Sequence, residues 1–184
     1  MASRQFITRQ RYPVSLGRLW RACTQRAYAQ SKYLALGAQS VRLLEFTVEP
    51  RHVEVVLERT LALPVGRVAR WLPEPATALV PATVRLHHQT RWWRTGPGTA
   101  RLDVKIATAG LPLRAEASGS LLQLSNDCTE MQLHWQLHCD LPWLADGALR
   151  LFERQMRQAL RRDHAFTLGW LQDAPVGPAQ QPAD

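Results

Sequence analysis

Two pairs of residues in this 184-residue chain have the types and spacing to do chemistry: His134 with His138, and Arg59 with His88. An HxxxH pair can hold a metal on a helix, where residues four apart are neighbours. Here, however, Thr129, Met131, Leu133, Trp135 and Leu137 alternate with Glu130, Gln132, His134, Gln136 and His138. That period of two is a strand rhythm. Four strand residues span about 13 Å, too far for one ion. No HExxH or CxxC partner stands nearby in the sequence to complete a site. His134 and His138 therefore read as solvated strand histidines, and no metal or cofactor is expected.

Arg59 and His88 are more informative because each interrupts an apolar stripe. Arg59 shares its strand face with Val53, Val55, Leu57 and Leu61. His88 shares its face with Val84, Leu86, Thr90 and Trp92, while His87 points the other way. A charge turned inward must find a partner, because leaving it unpaired is costly. Two arrangements satisfy that demand. In one, Arg59 pairs with an acidic side chain or reaches solvent, and His88 is a hydrogen-bonded core residue. In the other, both anchor the polar head of an amphipathic ligand whose tail lies in an apolar cavity. The pocket candidates are Arg59, His88, Thr90, Trp92, Trp135, Phe152 and Met156. The chain has no GxSxG, P-loop, GxGxxG or paired-carboxylate motif, so no catalytic residue is assigned. An enzyme reading would rest on His88 as a lone acid–base group.

Composition narrows the class of function. The formal net charge is +8, with 23 basic against 15 acidic residues. Lys32 and Lys105 are the only lysines, and the arginines are dispersed along the chain. No recognition helix, zinc finger or RNP-type motif accompanies them, so no specific nucleic-acid partner is expected. An acidic partner or a peripheral membrane contact stays open for the arginine-rich surface, as does a monomeric or homodimeric state. Three cysteines without CxxC spacing read as reduced thiols. With no apolar run of about 18 residues and no signal-peptide core, a cytoplasmic location is the default expectation.

The elements that must position these residues follow from periodicity. A strand over Phe6–Tyr12 ends at Pro13, and Ser15 is placed to cap one helix carrying Leu16, Leu19, Trp20, Cys23, Ala27 and Leu34, which Gly37 stops. Val41–Val48 forms a strand with Leu44, Phe46 and Val48 on one face. A turn at Glu49-Pro50-Arg51-His52 leads into Val53–Leu61. Residues 63–81 break the rhythm with four prolines and carry one short helix around Val65–Leu72. Strands follow at Thr83–Trp93, Arg101–Thr108, Leu113–Leu124 and Thr129–Leu137, with Gly119 marking a bulge or strong curvature. Leu141–Trp170 is one long amphipathic helix, with Pro142 in its first turn. Leu141, Leu144, Ala148, Leu151, Phe152, Met156 and Ala159 form its apolar face. That face is expected to cover the concave side of the sheet, against residues such as Leu57, Val104 and Leu133. The tail 173–184 is expected to be disordered.

The order strand, helix, many strands, long final helix resembles the START-like superfamily, also called SRPBCC. Three stretches carry the likeness. Phe6-Ile7-Thr8 through Tyr12-Pro13-Val14-Ser15 and Leu19-Trp20 resembles the family's opening strand, turn and first helix. Gly119-Ser120-Leu121-Leu122-Gln123-Leu124 resembles its sheet hairpins, and Leu141–Trp170 its terminal helix. Phe166-Thr167-Leu168-Gly169-Trp170 is similar to the superfamily's uncharacterised domain-of-unknown-function branch 2505. The resemblance implies an α+β helix-grip fold: a curved antiparallel sheet of about six to seven strands wrapped around the C-terminal helix, with a smaller helix after the first strand. It implies one domain over residues 3–172 and a hydrophobic small-molecule ligand such as a lipid, quinone or polyketide. It equally admits a cyclase/dehydratase- or hydrolase-like enzyme using the same cavity, since a fold does not choose among functions.

Overall fold

The computed structural model describes residues 2–63, 82–140 and 145–173. Seven strands form one antiparallel sheet: β1 (Ala2–Tyr12), β2 (Ala38–Val48), β3 (His52–Ala62), β4 (Thr83–Gly96), β5 (Thr99–Ala109), β6 (Leu113–Ser125) and β7 (Cys128–Cys139). Their spatial order is β1-β7-β6-β5-β4-β3-β2, so the first strand closes onto the last and β2 forms the opposite edge. Short turns join β2 to β3, β4 to β5, β5 to β6 and β6 to β7, which fixes their register, and β3 pairs antiparallel with β4. The predicted Glu49–His52 turn is present, with Glu49 N–H donating to the His52 carbonyl at 2.7 Å. One face of the sheet is apolar, from Val53, Leu57, Leu86 and Leu102 to Leu121, Leu133 and Leu137, and the helices cover it.

Two helices follow β1 where the sequence suggested one. α1 (Leu16–Cys23) is capped by Ser15, whose hydroxyl accepts from Arg18 N–H at 3.3 Å. It stops at Thr24, whose hydroxyl turns back to the Arg21 carbonyl at 2.7 Å. Gln25 is extended and starts α2 (Arg26–Ala35). This break rotates the second half, so Ala27 and Leu34 face outward. Gly37 ends the element at φ +91°, a conformation that favours glycine.

Three further expectations are corrected by register and phase. A bulge between Leu43 and Glu45 shifts the phase of β2, so Phe46 packs on the core as expected, with Leu43 beside it, while Leu44 and Val48 are exposed. Gly119 makes no bulge, since it lies in unbroken register between Leu102 and Leu133. There a Cβ would sit 1.9 Å from the Gln132 carbonyl oxygen, so the glycine serves a tight approach of two backbones. The final helix, α3 (Ala145–Asp173), buries Leu149, Met156, Thr167 and Leu171, with Phe152 and Leu160 packed beside them. Leu151 and Ala159 are only half-buried, because the true stripe runs one step round from theirs.

α3 lies along β1 and β7 and against α1 and α2. Leu133 is on the adjoining strand, but Leu57 belongs to the part of the sheet that α2 covers. Hydrogen bonds from Gln10 to the Leu160 carbonyl (3.0 Å) and from His164 to the Arg11 carbonyl (2.8 Å) fix α3 to β1. The expected helix around Val65–Leu72, the start of the last helix at Leu141–Leu144 and the tail beyond Asp173 lie outside the described residues. No helix among the described residues is long and apolar enough to cross a membrane.

Candidate functional site

In α2, Tyr28, Ala29, Lys32 and Tyr33 recur at steps of one, three and four, so they share one face. That face meets β3 and β4. Tyr33 Oη lies 2.9 Å from His88 Nε2, which also lies 2.9 Å from Thr90 Oγ1. The Arg59 guanidinium carbon sits 4.8 Å from the centroid of the Tyr33 ring. Lys32 Nζ stands 5.0 Å from the same ring and 3.5 Å from the Asp163 carboxylate of α3. Tyr28 Oη meets Thr167 Oγ1 at 2.8 Å, and Thr167 also donates to the Asp163 carbonyl. A chain of polar contacts thus crosses from sheet to α2 to α3, inside an otherwise apolar layer.

The electrostatics of this cluster follow from burial. Burial, then the positive charges of Arg59 and Lys32, hold the His88 imidazole well below its ordinary range, so it is neutral at pH 7. Burial alone would lower Lys32, but Asp163, with Tyr33 and Tyr28, outweighs it and keeps the ammonium well above its usual value. Burial lowers Arg59 against smaller opposing effects from Tyr33 and Asp163. The Cys23 thiol beneath α2 is pushed up to about 12 by burial. Arg59 is 8% exposed and His88 7%. Arg59 Nε and His88 Nδ1 are both buried without a hydrogen-bond partner among the described residues.

The structure brings together Arg59, His88, Thr90 and Trp92. Arg59 pairs with Leu86 across the β3–β4 ladder and His88 with Leu57, which makes the two side chains diagonal neighbours on one face. Thr90 and Trp92 line a cavity of about 20 Å³ with Cys23, Tyr28, Lys32 and Tyr33, enough for about one water molecule. Trp135, Phe152 and Met156 lie elsewhere. Trp135 is on β7, three ladders from β4 and thus about 14 Å away. There it stacks on Phe6 at 6.0 Å and donates to Thr8 at 3.2 Å. Phe152 and Met156 belong to α3, over β1 and β7.

Tyr28, Lys32, Tyr33, Asp163 and Thr167 were not singled out from sequence. A signal existed for Asp163 and Thr167, which sit at three- and four-residue steps from Met156 and Leu160 and interrupt the buried stripe of α3. Tyr33 and Lys32 became visible only once the break at Thr24 set the phase of α2.

On the outer face, His134 is exposed as expected, but His138 is only 8% exposed. Among the described residues no cluster of histidine, cysteine and carboxylate side chains could hold a metal. An open groove of about 550 Å³, lined by Thr95, Thr99, Arg101, Ser120, Gln132 and His134, runs across this face. Arginines here alternate with acids: Arg11 meets Glu130 at 2.8 Å, Arg91 meets Glu54 at 2.7 Å and Arg101 meets Asp103 at 3.3 Å.

Comparison with known proteins places this arrangement. The family described as "Protein of unknown function (DUF2505)" matches residues 8–171. No curated protein matches the chain. Among solved structures, the chain is similar to Ara h 8.0201, with 13% identity over 94% of this chain and 100% of that one, at a TM-score of 0.57. It is similar to the ZhuI aromatase/cyclase from Streptomyces sp. R1128, with 10% identity over 93% and 94%, at 0.58. A START superfamily protein from Mycobacterium smegmatis matches with 10% identity over 91% and 97%, at 0.50. These likenesses show the START-like fold, an α+β sheet gripped by its final helix.

Proposed function

The chain belongs to the family described as Protein of unknown function (DUF2505), and within that family we propose that it is a binding or carrier protein for a hydrophobic or amphipathic small molecule held between the sheet and its helices. The observation that carries this reading is the cluster of Arg59, His88, Thr90 and Tyr33 at the apolar face of the sheet. A few convergent polar groups within an apolar wall are what fix the orientation of an amphipathic guest. Two of these groups retain buried nitrogens without partners among the described residues, although buried polar atoms are ordinarily satisfied. The cavity under α2 is smaller than such a guest, so entry there requires α2 to yield. The START-like neighbours, one of them named as an aromatase/cyclase, support a small-molecule role for this fold.

The test is extraction of small molecules from protein purified from its native host, read by mass spectrometry, together with displacement of a fluorescent hydrophobic probe. A stoichiometric apolar ligand that competes with the probe is the expected result. Failure of every hydrophobic probe to bind saturably refutes the reading.

One observation favours a second reading, an enzyme using the same cluster. Tyr33 Oη and His88 Nε2 are 2.9 Å apart, within the reach needed for proton transfer between an acid and a base. Under this reading neutral His88 accepts a proton and Tyr33 supplies one. Chemical change of the bound molecule, abolished by Tyr33→Phe without loss of binding, separates an enzyme from a carrier.

A further inference from the structure

We infer that the cluster around Tyr33 is a subsite for the carboxylate of an amphipathic acid, with Arg59 and His88 as its two donors. This rests on the small-molecule binding reading and names the ligand's head group.

Charge points to a monoanion. Among the described residues, Arg59 and Lys32 are the cations of this cluster, and Asp163 is the carboxylate facing them. Asp163 is taken up by Lys32 at 3.5 Å. One buried positive charge is left over, that of Arg59, and its environment in the described residues is an aromatic ring. A single negative charge balances it. A carboxylate carries one, whereas a phosphate monoester carries about −1.5 to −2 and would overcompensate.

Hydrogen-bonding type points to an acceptor. The phenol is the stronger acid of the two hydroxyls at His88 Nε2, so Tyr33 donates there. A neutral imidazole that accepts at Nε2 carries its proton on Nδ1. The unpartnered atoms are then two N–H donors, Arg59 Nε and His88 Nδ1. An ionised carboxylate is acceptor-only, with two oxygens, and complements such a pair.

Position puts the two donors side by side. Arg59 and His88 are diagonal neighbours on adjacent strands, and both pack on Tyr33, the imidazole in a T-shaped contact at 5.0 Å between ring centroids. Leu57, Leu86 and Val84 surround them on the same face. An acyl or aryl tail attached to the carboxylate meets apolar side chains there, and water is excluded from the charge pair, which strengthens it.

The experiment compares decanoate, decanol and decylamine by titration against the protein, in the wild type and in Arg59→Met and His88→Gln variants shown by circular dichroism to be folded. Expected are saturable decanoate binding at least about tenfold tighter than decanol, no saturable binding of decylamine, and a loss of about tenfold or more in either variant for decanoate alone. Equal affinity for decanoate and decanol, or a preference for decanoate that survives in both variants, overturns the carboxylate subsite while leaving small-molecule binding in place. Saturable binding by none of the three overturns the carboxylate subsite, and failure of every other hydrophobic probe as well overturns the binding reading.

Discussion

Replacing Arg59 by methionine removes a charge that is 8% exposed and has no carboxylate within ion-pair distance among the described residues. Methionine keeps a flexible stem of similar reach, so most of the apolar packing survives. Two effects compete. Exchanging buried ionic groups for apolar ones of similar volume is often stabilising by about 1–4 kcal/mol. Against this stands the cation–π contact with Tyr33, worth about 0.5–2 kcal/mol when desolvated. The balance is a gain of about 1 kcal/mol, or a rise in Tm of about 2–4 °C for a domain of this size. Urea denaturation at pH 7 followed by circular dichroism measures it. A loss above about 2 kcal/mol refutes the reasoning, because it means that the guanidinium satisfies a partner in the folded protein and is not held for a ligand.

Three other outcomes are expected. Gly119→Ala places a Cβ against the Gln132 carbonyl at 1.9 Å and so destabilises the fold by about 2 kcal/mol or more, whereas Gly147→Ala, in open space on the final helix, is neutral or mildly stabilising on thermal denaturation. Because the His88 pKa is depressed by burial below its ordinary value of 6.5, the unfolded chain takes up a proton that the folded one refuses. Stability is therefore intact above pH 6.5 and falls by up to about 1.4 kcal/mol per unit on acidification; denaturation at pH 7 and pH 5.5 reads this slope, and His88→Gln flattens it. Cys23 and Cys139 are buried, and burial raises the Cys23 thiol to about 12, while Cys128 is half-buried. A thiol reagent in native buffer thus modifies Cys128 first, and the other two only on unfolding.

Much of the fold was legible because strand alternation is local. The Thr129–Leu137 rhythm gave both the β7 strand and its buried face, and the same logic placed Arg59, His88, Thr90 and Trp92 on one inward surface. What escaped prediction depends on phase changes that a single residue sets. The stop at Thr24 turned one helix into two and brought Tyr33 over His88. The bulge beside Leu44 put Leu43 in its place on the inward face of β2, while Phe46 stayed inward. Pairing across the molecule was equally invisible: nothing local couples Lys32 to Asp163, or puts Trp135 three ladders away from His88. The seven pocket candidates therefore divide into a polar cluster under α2 and an aromatic–aliphatic layer under α3.

The most direct test is a crystal structure of the protein grown with saturating decanoate. The expected result is the carboxylate within hydrogen-bond distance of Arg59 Nε and His88 Nδ1, with its tail against the apolar face of the sheet. Decanoate bound instead in the outer groove beside Arg101 and His134, or absent from the Tyr33 cluster at saturation, would contradict it.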